Sequence, residues 1–167
     1  MSSKTRSKIA LSGGCHWCTE AIFDALKGVN LVEQGWVSSE HEEASTLSEA
    51  VIVHYDEKVI ELDILIEVHL LTHNATSNHA FRKKYRSAIY TFSKSQEIEA
   101  QKILKEKQAL FEKPLITKVY PFHRFKLNEE QFLNYYKKDP SKPFCQSYIE
   151  PKLQMLMKRY STLLLSF

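Results

Sequence analysis

The stretch Lys8–Phe23, KIALSGGCHWCTEAIF, holds the transition on which the fold prediction depends. Its first residues are apolar and end in a glycine pair, which predicts a buried strand over about 7–12 followed by a tight turn. Beyond the turn, apolar residues recur every three or four positions and Gly28 follows as a stop signal, so a helix is predicted over about 16–27. Cys15 therefore stands between a strand and a helix.

The later segments extend this strand and helix into a larger pattern. Two strands, a helix and a third strand are predicted next, over 29–37, 49–55, 60–71 and 86–92. The order β-α-β-β-α-β is that of the ferredoxin-like arrangement, an antiparallel or mixed sheet with helices on one face. A helix capped by Ser93, with Gln96 at its third position, should run to Glu112 before Pro114. This helix, a strand over 115–122 and one further helix form a C-terminal extension, so we expect one α+β domain spanning 1–167.

Composition excludes several classes of protein. Apolar residues make up 43% of the 167, which is enough for one core and excludes a disordered tail protein. The 23 basic and 20 acidic residues are spread without a long run of one sign, so neither nucleic acid nor an anionic membrane is an expected partner. No apolar run approaches the roughly 18 residues of a membrane span, and the first residues lack a secretory apolar stretch. A cytoplasmic location is predicted.

Cys15 is the first candidate for a reactive group. The N–H groups at a helix start are unpaired and the helix dipole is positive there, so both stabilise a thiolate and lower the pKa of a cysteine. Gly13 and Gly14 before it allow a sharp turn and leave backbone amides near a reacting atom. A buried structural thiol at a strand end is the alternative, but the glycine pair and the helix favour a reactive cysteine.

The other two cysteines leave alternatives open. Cys18 forms a C-x-x-C pair with Cys15, which suits a redox dithiol or half of a metal site. No second ligand pair with matched spacing follows, so neither a metal nor a cofactor is predicted. Cys18 also falls on the apolar face of the predicted helix, so core packing explains it at least as well as redox chemistry. Cys145 follows a proline cluster.

The segment Gly13–Phe23 resembles the G-G-C-F-W-C-x-E-A-x-F signature of the A-type peptide methionine sulfoxide reductases. Further similar motifs follow in the family's order and cover most of the chain: Gly28-Val29, Gly35–Val37, Ser48–Asp56, His73–Thr76, Tyr85–Tyr90, Lys138–Cys145 and Ile149–Leu153. One such motif is weak evidence, whereas several collinear motifs are strong evidence.

The resemblance implies thiol-dependent reduction of the S epimer of methionine sulfoxide, free or in proteins. The thiolate of Cys15 would attack the sulfoxide sulfur, while Glu49 and Tyr85 would hydrogen-bond or protonate the oxygen. Release of methionine leaves a cysteine sulfenic acid, which a second thiol condenses to an intramolecular disulfide. Thioredoxin is the implied reductant of that disulfide. By the same resemblance Cys145 is the preferred resolving cysteine, and Cys18 is the alternative.

Three aromatic residues are expected to bind substrate, and two of them depart from the family pattern. His16 stands where the family has phenylalanine, and Trp36 stands where it has the tyrosine of a G-Y-x-G-G turn. An imidazole makes the methyl pocket less apolar, and an indole donates a hydrogen bond but cannot relay a proton as a phenol does. Trp17 is either a pocket wall or core packing. Ala80 replaces a substrate-binding aspartate, so we expect a divergent reductase with reduced or altered activity.

Two other functions compete with this prediction. A reductase-fold protein of weakened or lost activity would bind oxidised methionine without turnover. A thioredoxin-type dithiol oxidoreductase would also use C-x-x-C at a helix start. The predicted β-α-β-β-α-β order argues against the thioredoxin type.

Overall fold

The computed structural model describes residues 6–77 and 85–164. Within them, five strands form one sheet that closes into a barrel. The strands are β1 Arg6–Ser12, β2 Val29–Ser39, β3 Ser48–Asp56, β4 Ala88–Thr91 and β5 Lys118–Leu127. Their order in the sheet is β1-β3-β2-β5-β4, and β4 returns to pair with β1. The first four strands therefore have the predicted ferredoxin-like order, with β3 antiparallel between β1 and β2.

Strand β5 turns this open arrangement into a barrel. It pairs antiparallel with β2 and parallel with β4, which joins the two edges that a four-stranded sheet would leave exposed. The predicted strand over 115–122 is therefore displaced: β5 begins at Lys118 and continues to Leu127 because its second half pairs with β2. The alternating side chains of β1 are buried on both faces, with Ala10 in the barrel interior and Ile9 towards the helices.

The helices pack on the outside of the barrel and form the larger core with it. They are α1 His16–Asp24, α2 Leu62–Thr72, α3 Lys94–Lys107, α4 Tyr135–Lys138 and α5 Glu150–Arg159, and a π-helical turn spans Cys145–Ile149. Helix α3 is capped as predicted, since the Ser93 hydroxyl accepts from the N–H of Gln96 and the Gln96 side chain accepts from the N–H of Phe92. No helix within 6–77 or 85–164 has the length and apolar composition to cross a membrane.

Two helices end earlier than predicted, and at α1 a later segment binds the residues that follow the helix. Helix α1 ends at Asp24 and not at 27, because Leu26 pairs with Leu164 and the N–H of Lys27 donates to the carbonyl of Leu163 at 2.7 Å. Helix α3 ends at Lys107 and not at 112, and a 3₁₀ turn, Gln108–Leu110, follows it. The contacts beyond α1 join residues far apart in the chain, so the local pattern does not contain them.

An ionic cluster fastens the C-terminal segment to α2 and α3. Lys107 Nζ lies 2.7 Å from Asp63 Oδ1 and 3.1 Å from Glu67 Oε1, and the hydroxyl of Tyr160 donates to Glu67. Burial alone would raise the pKa of Glu67, but the hydrogen bonds from Tyr160 and Lys107 and the charges of Lys107 and Arg159 outweigh it and lower that pKa. The segment that carries Cys145 is thus held on the core by charge as well as by apolar contact.

Candidate active site

The glycine turn that begins the site is packed directly on a histidine. Gly13 has φ of +151°, and a Cβ at this position would lie 2.5 Å from the Cδ2 atom of His73. Any other residue would therefore be strained by its backbone and by this contact. The His73 ring is itself held by Ser87, whose hydroxyl lies 2.7 Å from Nε2. The turn between β1 and α1 is consequently packed against a fixed His73 ring, and it places Cys15 at the start of α1.

Cys15 is the N-cap of α1 and is partly exposed, whereas Cys18 one turn later is buried. The pKa of Cys15 is lowered, as predicted from its position. The largest cause is a hydrogen bond from the Cys18 thiol, and N–H groups of Trp17 and Cys18 add to it against burial and the nearby charge of Glu49. The donor's own pKa is raised, chiefly by this same bond. Cys18 therefore has a role that the sequence pattern did not indicate: it stabilises the thiolate of its neighbour.

A pocket of about 410 Å³ opens beside Cys15. The six residues predicted to attack, protonate or bind the substrate all line it: Cys15, His16, Trp17, Trp36, Glu49 and Tyr85. They come from α1, β2, β3 and the segment before β4, so the fold brings together side chains up to 70 positions apart. A larger open groove of about 740 Å³ lies between α3 and β5, and no cysteine is among the residues that line it.

Glu49 and His16 form a buried pair in the pocket floor. Their side chains are 6% and 8% exposed, and Glu49 Oε1 lies 3.3 Å from both the backbone nitrogen and the Nδ1 atom of His16. Nδ1 is also 3.4 Å from the carbonyl oxygen of Gly35. A nucleophile of lowered pKa, a buried carboxyl group and aromatic walls are the components that reduction of a sulfoxide requires.

Comparison with known proteins identifies the family. The family model for peptide methionine sulfoxide reductase matches residues 7–163. The chain belongs to the peptide methionine sulfoxide reductase family. A peptide methionine sulfoxide reductase MsrA of Thermus thermophilus is 33% identical, over 92% of this chain and 95% of that relative. The family predicted from the motifs, and with it the enzyme class, is confirmed.

Solved structures share the fold. The reduced form of Mxr1 from Saccharomyces cerevisiae superposes with a TM-score of 0.72 at 23% identity, covering 87% of this chain and 92% of that chain. Mxr1 in complex with Trx2 gives a TM-score of 0.60 at 25% identity, covering 77% and 84%. The fold class predicted from the sequence is therefore that of the methionine sulfoxide reductases.

One wall of the reductase pocket is a stack of aromatic rings. Trp17 lies parallel to Tyr135 with ring centroids 4.1 Å apart and an interplanar angle of 4°, and Phe144 meets it edge-on at 5.5 Å. Trp17 is thus both a pocket wall and a packed residue, so its two predicted roles are compatible. Because Tyr135 and Phe144 belong to the C-terminal extension, that extension helps to build the pocket.

Trp36 and Tyr85 also line the pocket. Trp36 meets the ring of His16 edge-on, with centroids 5.2 Å apart at 79°, and the ammonium group of Lys126 lies 5.8 Å from the ring centroid of Trp36. The two departures from the family pattern that the structure describes are therefore in contact with each other. The third, Ala80, lies outside the described residues.

The three cysteines all carry free thiols and share one region of the core. Cys145 is fully buried at the start of the π-helical turn, and its thiol donates to the carbonyl of Asp139 at 3.5 Å. Burial raises the pKa of the Cys145 thiol, which favours the protonated, unreactive form over a thiolate nucleophile. Cys145 also raises the pKa of Cys18 through charge, so the two sulfurs lie within electrostatic range.

Sequence reasoning missed three residues that line the pocket: Asn128, Phe132 and Phe144. Phe144 precedes Cys145 within a motif that resembles the family's, so the motif offered a signal for it. Asn128 begins a short polar run after β5, Asn128–Gln131, and nothing in the sequence distinguished it from its neighbours.

Proposed function

We propose that this reductase converts the S epimer of methionine sulfoxide, free or in proteins, to methionine. The thiolate of Cys15 attacks the sulfoxide sulfur, and Glu49 and Tyr85 donate to the sulfoxide oxygen. The single observation that carries this assignment is the pocket: it places a cysteine of lowered pKa, a buried carboxyl group and a tyrosine around one space.

The first half-reaction transfers oxygen to Cys15. The thiolate, the sulfoxide and one proton become a thioether and a cysteine sulfenic acid, so the substrate sulfur gains the two electrons that the cysteine sulfur loses. Glu49 supplies the proton to the oxygen as the S–O bond of the substrate breaks. His16, Trp17 and Trp36 hold the methyl group and the thioether chain, and the stacked rings beside Trp17 keep that wall rigid.

The second half-reaction restores the thiol. A second cysteine attacks the sulfenic acid, water leaves, and a disulfide forms. We assign this role to Cys145, which packs in the same core cluster as Cys15 and whose buried thiol is shielded from solvent. Cys18 is the alternative, because its hydrogen bond to Cys15 already places the two sulfurs in contact. Thioredoxin then reduces the disulfide, by analogy with the complex of Mxr1 and Trx2.

The cycle requires a reducing compartment, so we propose that the enzyme acts in the cytoplasm. We also propose that residues 1–167 act as one domain, because the extension after β5 supplies pocket walls as well as the resolving cysteine.

Turnover of the S and R epimers of dabsyl-methionine sulfoxide, with dithiothreitol or thioredoxin as reductant, tests these assignments. We expect conversion of the S epimer alone and its loss in Cys15→Ser. Cys145→Ser should keep turnover with dithiothreitol, which reduces the sulfenic acid directly, but lose it with thioredoxin. A Cys15–Cys18 disulfide found by peptide mapping after one equivalent of sulfoxide would reassign the resolving thiol. Binding of sulfoxide peptides without Cys15-dependent conversion would refute the proposed activity.

A further inference from the structure

A chain of buried polar side chains leads from the protein interior to the acid of the reductase pocket. Its members are Gln34, Asn128, His16 and Glu49, which are 0%, 7%, 6% and 5% exposed. Buried polar groups are stable only when their hydrogen bonds are satisfied, so the direction of each bond in such a chain is constrained. The directions here determine which nitrogen of His16 carries a proton.

Backbone groups at one end of the chain fix the orientation of both amides. The carbonyl of Phe132 can only accept, and it lies 3.0 Å from Gln34 Nε2, so Gln34 Oε1 faces Asn128. The N–H of Glu129 can only donate, and it lies 2.9 Å from Asn128 Oδ1. Asn128 Nδ2 is therefore the atom that reaches Gln34 Oε1 at 2.6 Å and His16 Nε2 at 3.5 Å.

The orientation of Asn128 selects the tautomer of His16. An amide NH₂ group only donates, so Nε2 of a neutral imidazole must accept from it. The ring proton then resides on Nδ1, the nitrogen that lies 3.3 Å from Glu49 Oε1 and 3.4 Å from the carbonyl oxygen of Gly35. Both of these oxygens are acceptors, which agrees with a donor at Nδ1.

Glu49 Oε1 consequently receives two N–H groups, the Nδ1–H and the backbone N–H of His16. A protonated carboxyl group that accepts two hydrogen bonds on one oxygen carries its own proton on the other. We infer that His16 is a positioning residue: held as the Nδ1–H tautomer by Asn128, it keeps Oε1 of Glu49 as the acceptor, so that Oε2 carries the proton to the sulfoxide oxygen. This inference rests on the proposed role of Glu49 as the acid.

Nitrogen NMR of histidine tests the tautomer without reference to activity. In the ¹⁵N-histidine-labelled enzyme at a pH where His16 is neutral, we expect a protonated-type shift at Nδ1 and an unprotonated-type shift at Nε2. Asn128→Asp replaces the donor with an acceptor of similar size, so it should move the proton to Nε2 or give the doubly protonated ring. An Nε2–H tautomer in the native enzyme, or no change in Asn128→Asp, would overturn the inference.

Kinetics of two His16 variants test the positioning role. His16→Phe fills the space and removes the donor, and we expect kcat to fall about tenfold, the effect of one lost hydrogen bond in the transition state, with KM unchanged or lower. His16→Asn places an amide nitrogen at the same distance from the backbone as Nδ1, so it should recover most of this loss. Thermal unfolding of each variant checks that the pocket still folds.

The outcomes separate this inference from the proposed function. An unchanged kcat in His16→Phe, or an equal loss in both variants, contradicts positioning by a donor at Nδ1. If the native enzyme shows no turnover, the proposed function fails, and the NMR result in the native enzyme and Asn128→Asp still decides whether the chain of hydrogen bonds sets the tautomer.

Discussion

Replacing Cys18 with alanine should weaken Cys15 as a nucleophile even though Cys18 is not itself required to attack the substrate. The Cys18 thiol is the largest contribution to the lowered pKa of Cys15. Hydrogen bonds to charged groups contribute about 1.5–3 kcal/mol, and one pKa unit corresponds to about 1.4 kcal/mol. Because Cys15 is partly exposed and water replaces some of the lost bond, we take the lower end, about 1.5 kcal/mol, and expect Cys18→Ala to raise the pKa of Cys15.

The alkylation rate of Cys15 should fall by less than the thiolate fraction does. A loss of about 1.5 kcal/mol lowers the thiolate fraction of Cys15 about tenfold at a pH below the midpoint. A thiolate of higher pKa is intrinsically more nucleophilic, with a Brønsted coefficient of about 0.4–0.5, which restores about threefold. The net loss in the reaction of Cys15 with an alkylating agent should therefore be about threefold.

Iodoacetamide labelling at several pH values, read by fragmentation of the peptide that contains Cys15, measures both quantities. Cys18→Ser keeps a hydroxyl donor at the same position and is the matched control, so its midpoint should lie between those of the native enzyme and Cys18→Ala. The buried position of Cys18 requires that the thermal stability of each variant be measured alongside. Equal midpoints in the native enzyme and Cys18→Ala would refute the argument that this thiol stabilises the thiolate.

Three further predictions concern the barrel, the ionic cluster and the pocket rim. In Gly35→Ala the new Cβ would lie 2.0 Å from a backbone oxygen of β5, so the free energy of unfolding should fall by about 3 kcal/mol in denaturant titration, whereas Gly14→Ala, with 3.8 Å of clearance, should lose far less. Lys107→Met should cost about 1 kcal/mol at pH 7. Because the folded-state pKa of Glu67 is lowered, that contribution is present above the unfolded value of about 4.3 and is lost as the pH falls through the folded value. In urea titrations, the difference between the native enzyme and Lys107→Met should therefore shrink as the pH is lowered from about 7. Trp36→Tyr should raise kcat by up to about tenfold in the sulfoxide assay by restoring a phenol, and an unchanged kcat would show that the indole is not limiting.

The elements that local patterns describe were the ones that sequence reasoning predicted well. Strand β1, the glycine turn and the start of α1 each depend on neighbours within a few residues, and their predicted positions agree with the structure. Closure of the barrel was not predicted, because the pairing of β5 with β2 joins residues about 90 positions apart. No periodicity within 118–127 distinguishes a strand that extends a sheet from one that closes it.

In the site, too, residues within motifs were predicted and residues placed by long-range contacts were not. The motifs supplied Cys15 and Glu49, and the fold brings both to one pocket. Asn128 reaches that pocket from a position 112 residues beyond His16, and it carries no motif. The hydrogen bond from Cys18 to Cys15 was also missed, because the C-x-x-C spacing suggests an eventual disulfide as readily as a donor and a thiolate.

The buried histidine and the buried amides explain each other. An unsatisfied polar group in the interior costs about 2–7 kcal/mol, so an imidazole in place of phenylalanine would destabilise an otherwise unchanged pocket. Here the His16 nitrogens face Asn128 on one side and Glu49 and Gly35 on the other, which removes that cost. With phenylalanine at position 16, Asn128 would lose one of the two acceptors of its amide group and keep only Gln34 Oε1. His16 and Asn128 are therefore coupled through this contact, and a variant of either residue should be interpreted with the other in view.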